Sequence, residues 1–226
     1  MLLDLEKLKT KHFLEPDLIV FSGDLVQRGS DGPDAFKSVS TELIEPLLNQ
    51  LNLTQDQFFC CPGNHDVDRT KVFNEVENGI PTEVIDSASL DRYYQSCVND
   101  PVRLGNLQRK LESFEQFQKA YASQHVVESN FFYSTSIVPI RGTKVGITSF
   151  NSAWRSSHLG SDKGRLILGL PIVEEASERI QDCDLKLAIV HHPQDWLEEW
   201  DQRETRNQIA KHFNIGPPSS VHDDFR

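Results

Sequence analysis

The chain has 226 residues, 38% hydrophobic and 25% charged, with a net charge of −11, which allows a substantial core and is ordinary for an α/β enzyme. No stretch is long and apolar enough to span a membrane and the amino terminus lacks a signal-peptide pattern, so a cytoplasmic location is the expectation. The acidic balance argues against tight nonspecific binding to nucleic acid and disfavours a nuclease without excluding one.

In chain order, Leu2, Leu5, Leu8 and His12 fall at helical spacing, and Glu15-Pro16-Asp17 ends that predicted helix. Leu18-Ile19-Val20-Phe21 then reads as a strand running into Ser22-Gly23-Asp24. Phe36, Val39, Leu43 and Leu47 mark the apolar face of a second helix, with Pro46 a candidate kink. After a short connection, Leu53 to Asp56, the apolar run Gln57-Phe58-Phe59-Cys60-Cys61 reads as a buried strand, stopped by Pro62-Gly63-Asn64-His65-Asp66. This β-α-β rhythm predicts right-handed crossovers. Cys60 and Cys61 point to opposite sheet faces, so both faces are expected to be covered. With Cys97 and Cys183 they form neither a Cys-x-x-Cys spacing nor a secreted disulfide framework.

Residues 72–125 interrupt the rhythm without a convincing strand. Leu107, Leu111, Phe114 and Phe117 sit at helical spacing, which predicts a helical insertion: a lid over a ligand site, or a packing helix pair. Tyr93-Tyr94 could hold a base or fill the insertion's core. Phe131 to Pro139 and Lys144 to Phe150 read as a hairpin through Arg141-Gly142-Thr143, ending at Asn151-Ser152-Ala153-Trp154. A helix opens at Gly169-Leu170-Pro171 with Ile172, Ala176 and Ile180 on its buried stripe. It leads to the strand Leu187-Ala188-Ile189-Val190, which ends in His191-His192-Pro193.

Three strand ends thus present a carboxylate, an amide and an imidazole, and ligands bind at such ends in α/β sheets. A carboxylate can share its oxygens between two cations, an amide oxygen suits a hard cation, and imidazole suits Zn, Fe or Mn. Two ions about 3.5–4 Å apart can clamp an in-line displacement. Each residue also has a plainer use. Asp24 could cap a turn, Asn64 could occupy a left-handed position, and His65 could be a surface residue. Of the two histidines, His191, two before the proline, is preferred as ligand and His192 is the bystander.

Gly23-Asp24, Gly63-Asn64-His65-Asp66 and His191-His192-Pro193, in that order, resemble the calcineurin-like metallophosphoesterase superfamily over most of the chain. The Asn151-Ser152 strand end is similar to that of a bacterial subgroup. The resemblance implies a layered α-β-β-α sandwich with a helical insertion after the Gly-Asn-His-Asp turn. It also implies one domain over 1–226, with the insertion at about 72–125. By the same resemblance Asp24 bridges two divalent ions (Mn, Fe or Zn), Asn64 and His191 bind one of them, His65 assists the leaving group and Asp66 orients His65. The implied reaction is hydrolysis of a phosphomonoester or phosphodiester by water activated between two metals, on a phosphorylated small molecule or nucleotide.

The chain departs from the family at both ends. It has no Asp-x-His, and where Gly-His-x-His belongs stands Gly216-Pro217-Pro218-Ser219-Ser220-Val221-His222. If Val221-His222 fills the last two places of that motif, His222 is a further candidate ligand. These departures leave a second expectation open: a truncated or degenerate member that binds a metal, a phosphate ligand or a partner without turnover.

Overall fold

The computed structural model describes residues 15–213. The expected first helix at Leu2 to His12 and the candidate ligand His222 lie outside them. Strand β1 (Ile19–Phe21) pairs in parallel with β2 (Phe58–Cys60), with Val20 opposite Phe59. The second sheet runs β3 (Val126–Ser129), β4 (Tyr133–Ile140), β5 (Thr143–Phe150) and β6 (Leu185–Ile189), in that spatial order. Its β3–β4 and β4–β5 pairs are antiparallel, and β5–β6 is parallel. The described residues therefore form a mixed α/β structure of helices and two sheets.

Alternation along β2 divides the core. Phe59 and Cys61 pack in one cluster with Val138, Val145, Ile147 and Ile189 of the second sheet. Phe58 and Cys60 belong to the larger cluster that includes Phe36, Phe114 and Phe117 from helices. Both faces of this strand are buried, as adjacent apolar residues require.

Helices α1 (Gly32–Val39) and α2 (Glu45–Leu51) are joined by a π turn over Ser40–Ile44. Pro46 has no N–H and its ring crowds the preceding turn of a regular helix. The turn widens, with Glu45 N–H bonding Ser40 O five residues back. The extra residue shifts the buried face: Phe36 is buried as expected, but Ile44 and Leu48 are buried in place of Leu43 and Leu47.

Residues 72–125 hold four α-helices and no strand: α3 (Asn74–Glu83), α4 (Ser87–Asn99), α5 (Pro101–Gln108) and α6 (Glu112–Gln118). Leu107, Leu111, Phe114 and Phe117 are all buried. Phe114 and Phe117 meet Phe36 at 6.2 and 5.7 Å between ring centroids, so α6 packs as core against α1. Tyr93 stacks on Trp154, and Tyr94 meets Phe132 edge-on. Both tyrosines fill the core, as does Trp154, whose indole N–H bonds Ile167 O at 2.5 Å.

Strand β3 departs from the expected pattern. Val126 and Val127 are both exposed and the strand is bulged at an edge, so no two-residue alternation marks it. Strand β4 opens at Tyr133 because Asn130 Oδ1 holds the N–H groups of Phe132 and Tyr133 in a turn. Helix α7 (Leu170–Glu178) buries Ile172 and Ala176, and α8 (Glu199–His212) follows the His191 strand end.

Candidate active site

The turns after β1 and β2 lock together through one carboxylate. Asp66, 1% exposed, accepts the N–H of Gly63 (2.8 Å), Asp24 (3.0 Å) and Val26 (3.1 Å). Burial pushes its carboxyl up to about 6, against these backbone donors, which favour the charged form. The expectation that Asp66 orients the His65 ring is corrected. Its oxygens are taken up by backbone donors from two loops, and the imidazole finds another partner.

That partner is Gln27 O, 2.9 Å from His65 Nδ1. A carbonyl only accepts, so Nδ1 carries the proton and the tautomer is fixed from the backbone. The ring is exposed. His65 N–H in turn donates to Asp24 Oδ1 at 3.0 Å.

Asp24 itself has φ of 57°, in the left-handed region that few residues other than glycine adopt. Such a conformation persists where the surroundings enforce it. Here the hydrogen bond from Asp24 N–H to Asp66 and that from His65 N–H to Asp24 do so. Close approach adds to this: a Cβ on Gly63 would lie 2.1 Å from Asp24 Oδ1, so only glycine fits beside the carboxylate.

His191 enters from the end of β6. Its Nδ1 donates to Ser22 O at 2.7 Å, which leaves Nε2 with a lone pair. Nε2 lies 3.3 Å from Asn64 Oδ1 and 3.4 Å from Asp24 Oδ1. Three acceptors face one another, an arrangement that calls for a cation or a proton between them. The donor set, one carboxylate, one amide oxygen and one imidazole oriented by a backbone carbonyl, suits a divalent ion. Among the described residues no third His, Cys, Asp or Glu joins Asp24 and His191.

His192 turns away. It is buried, bonded through Nδ1 to Ser152 Oγ at 2.8 Å, and its ring lies tilted against Trp196 at 5.5 Å between centroids. Burial, aided by His191, lowers its pKa to about 3, so the ring is neutral. Ser152 thus holds His192 and, through it, the strand end that carries His191.

Gln27 and Gly29, absent from the candidates named from sequence, also shape these turns. Gly29 N–H bonds His65 O at 2.7 Å, and a Cβ there would lie 2.3 Å from Asp66 O. The run Gly23-Asp24-Leu25-Val26-Gln27-Arg28-Gly29 carried a signal in its second glycine. The contribution of Gln27 is a main-chain carbonyl and has no side-chain signature.

The fold and the site define a class, an α/β protein with convergent oxygen and nitrogen acceptors at the carboxyl ends of parallel strands. A family model described as calcineurin-like phosphoesterase matches residues 3–224, and the chain belongs to this family of metal-dependent hydrolases acting on phosphorylated substrates. No curated protein and no solved structure showed significant similarity.

Proposed function

We propose that the chain is a metal-dependent phosphoesterase that hydrolyses phosphomonoester or phosphodiester bonds, with Asp24, Asn64 and His191 as metal ligands and His65 as general acid. One observation carries this reading: Asp24 Oδ1, Asn64 Oδ1 and His191 Nε2 converge beside His65. Asp24, Asn64 and His191 would hold divalent ions, Mn, Fe or Zn, and such ions would supply charge neutralisation and an acidified water.

The chain's own residues do the rest. Ser22 O aims the His191 lone pair inward by taking its Nδ1–H. Gln27 O does the same for His65, so the imidazolium donates from Nε2 to the leaving oxygen and relaxes to the tautomer the carbonyl already holds. Asp66 keeps the two loops in register. Four buried cysteines without a disulfide are compatible with a cytoplasmic setting, and a phosphorylated small molecule or nucleotide is the substrate class.

The test is metal content with turnover. Asp24→Ala should lower the metal bound per chain by elemental analysis and reduce hydrolysis of bis(4-nitrophenyl) phosphate; unchanged stoichiometry counts against the site. A second reading follows from the small ligand set among the described residues: one ion is held and no turnover occurs. One ion per chain with no hydrolysis is the result it requires.

A further inference from the structure

The inner face of the second sheet changes character along its strands. Val138, Val145 and Ile147 pack against Phe59 and Cys61 of the first sheet. Toward the carboxyl end of β5 the same face carries hydroxyls instead: Ser136, opposite Ile147, and then the cross-strand pair Ser134 and Ser149. A cleft of about 290 Å³ opens there between the sheets, bounded by these three serines and by Phe59, Ala122 and Val126.

The hydroxyls of that face are stranded. Ser136 and Ser149 are 3% and 6% exposed, and neither side chain has a hydrogen-bond partner among the described residues. On the opposite face of the same strands Thr135 and Thr148 bond each other at 3.1 Å. Buried hydroxyls without partners are costly unless polar groups from outside the chain meet them, and the cleft stands at the lower end of the size range of small-molecule sites. An added strand is not the occupant. Gln118 Nε2 already donates to Cys60 O at 2.8 Å on the β2 border of the cleft, so that carbonyl is closed to a pairing chain.

Charge narrows the ligand further. A second, water-sized cavity of about 20 Å³ shares Gln118, Ser134 and Ser149 with the cleft. Among the described residues lining the two, Glu115 is the only carboxyl, and burial pushes it up to about 7. Lys119 is their only cation, and it is exposed. An ionic ligand would therefore meet no firm buried counter-charge. Hydroxyls both donate and accept, which suits a ligand whose own groups do both. Phe59, Ala122 and Val126 offer an apolar wall to its C–H face.

We propose that this cleft binds a neutral cyclic polyol of monosaccharide size, with its hydroxyl groups on Ser134, Ser136 and Ser149 and its C–H face toward Phe59. None of Asp24, Asn64, His65 or His191 lines either cavity, so the assignment stands apart from the phosphoesterase reading.

The experiment is calorimetric titration of the full chain with myo-inositol, D-glucose and D-xylose, beside inorganic phosphate and acetamide. At least one polyol should bind with a Kd below about 1 mM, and Ser136→Ala/Ser149→Ala should weaken it at least about tenfold. Without ligand this double variant should melt no lower than the unaltered chain, because no internal hydrogen bond is lost. Asp24→Ala should bind the polyol as the unaltered chain does. Binding of none of the three, as for a cleft that holds water only, or an affinity unchanged in the double variant overturns the site. So does a double variant that melts several degrees lower, which would show the hydroxyls bonded within the chain. Tighter binding of phosphate or acetamide than of any polyol overturns the ligand class, and loss of polyol binding in Asp24→Ala would move the ligand to the metal-ligand side and overturn its place.

Discussion

Asp66 and His65 are adjacent in sequence and opposite in use. Asp66 is a buried staple for three backbone amides, whereas His65 is exposed and free to meet a ligand. Asp66→Ala strands those donors, and we expect a loss of at least about 2 kcal/mol in denaturant unfolding. His65→Ala should instead leave stability nearly intact and lower turnover by about 10²–10⁴ on an alkyl phosphodiester. With a 4-nitrophenyl leaving group, which departs without a proton, the loss should be much smaller; equal losses on both substrates would contradict an acid role. Asp24, Asn64, His65 and His191 stand out in the sequence because their side chains are of the types the proposed chemistry needs. The use of Asp66 was not, since a carboxylate beside a histidine has the same sequence signature whether it faces the ring or the backbone.

At the scale of elements, the strands before Asp24, Asn64 and His191 were legible from apolar runs ended by glycine or proline. The shifted face of α1 and α2 was not, because a helical repeat carries no record of where a proline widens a turn. Strand β3 escaped because its register with β4, not its own residues, makes it a strand. Helix α6 offers a test of buried charge. Burial pushes the Glu115 carboxyl up to about 7 and Oε1 has no hydrogen-bond partner among the described residues. Its folded pKa lies above the unfolded value of about 4.3, so the folded state holds the proton more tightly. Stability from this group is greatest below the unfolded pKa and falls as pH rises through the window to about 7. Glu115→Gln should therefore melt higher than the unaltered chain at pH 8 and lose that advantage at pH 4. A difference in melting temperature independent of pH would contradict the assignment.

Across the whole molecule, the loop after Asp66 is braced by a buried charge cluster. Lys110 and Arg155 flank Glu77, all three buried, and Lys110 O accepts Asp68 N–H at 2.7 Å. Burial lowers the Lys110 pKa and Glu77 opposes that shift. Glu77→Ala leaves two buried cations without their partner and should cost about 3–5 kcal/mol, read by chemical denaturation; a cost below about 1 kcal/mol would show the cluster to be solvated. This brace joins helices of the 72–125 segment to the loop carrying Asn64 and His65, a link visible only in three dimensions. The central claim is that the strand ends after β1, β2 and β6 assemble one phosphate-cutting centre. Its most direct test is hydrolysis of bis(4-nitrophenyl) phosphate with Mn supplied, by the unaltered chain and by Asp24→Ala. The account predicts turnover by the former and a loss of at least about 100-fold in the latter. Equal turnover by both chains, or none by either, would contradict it.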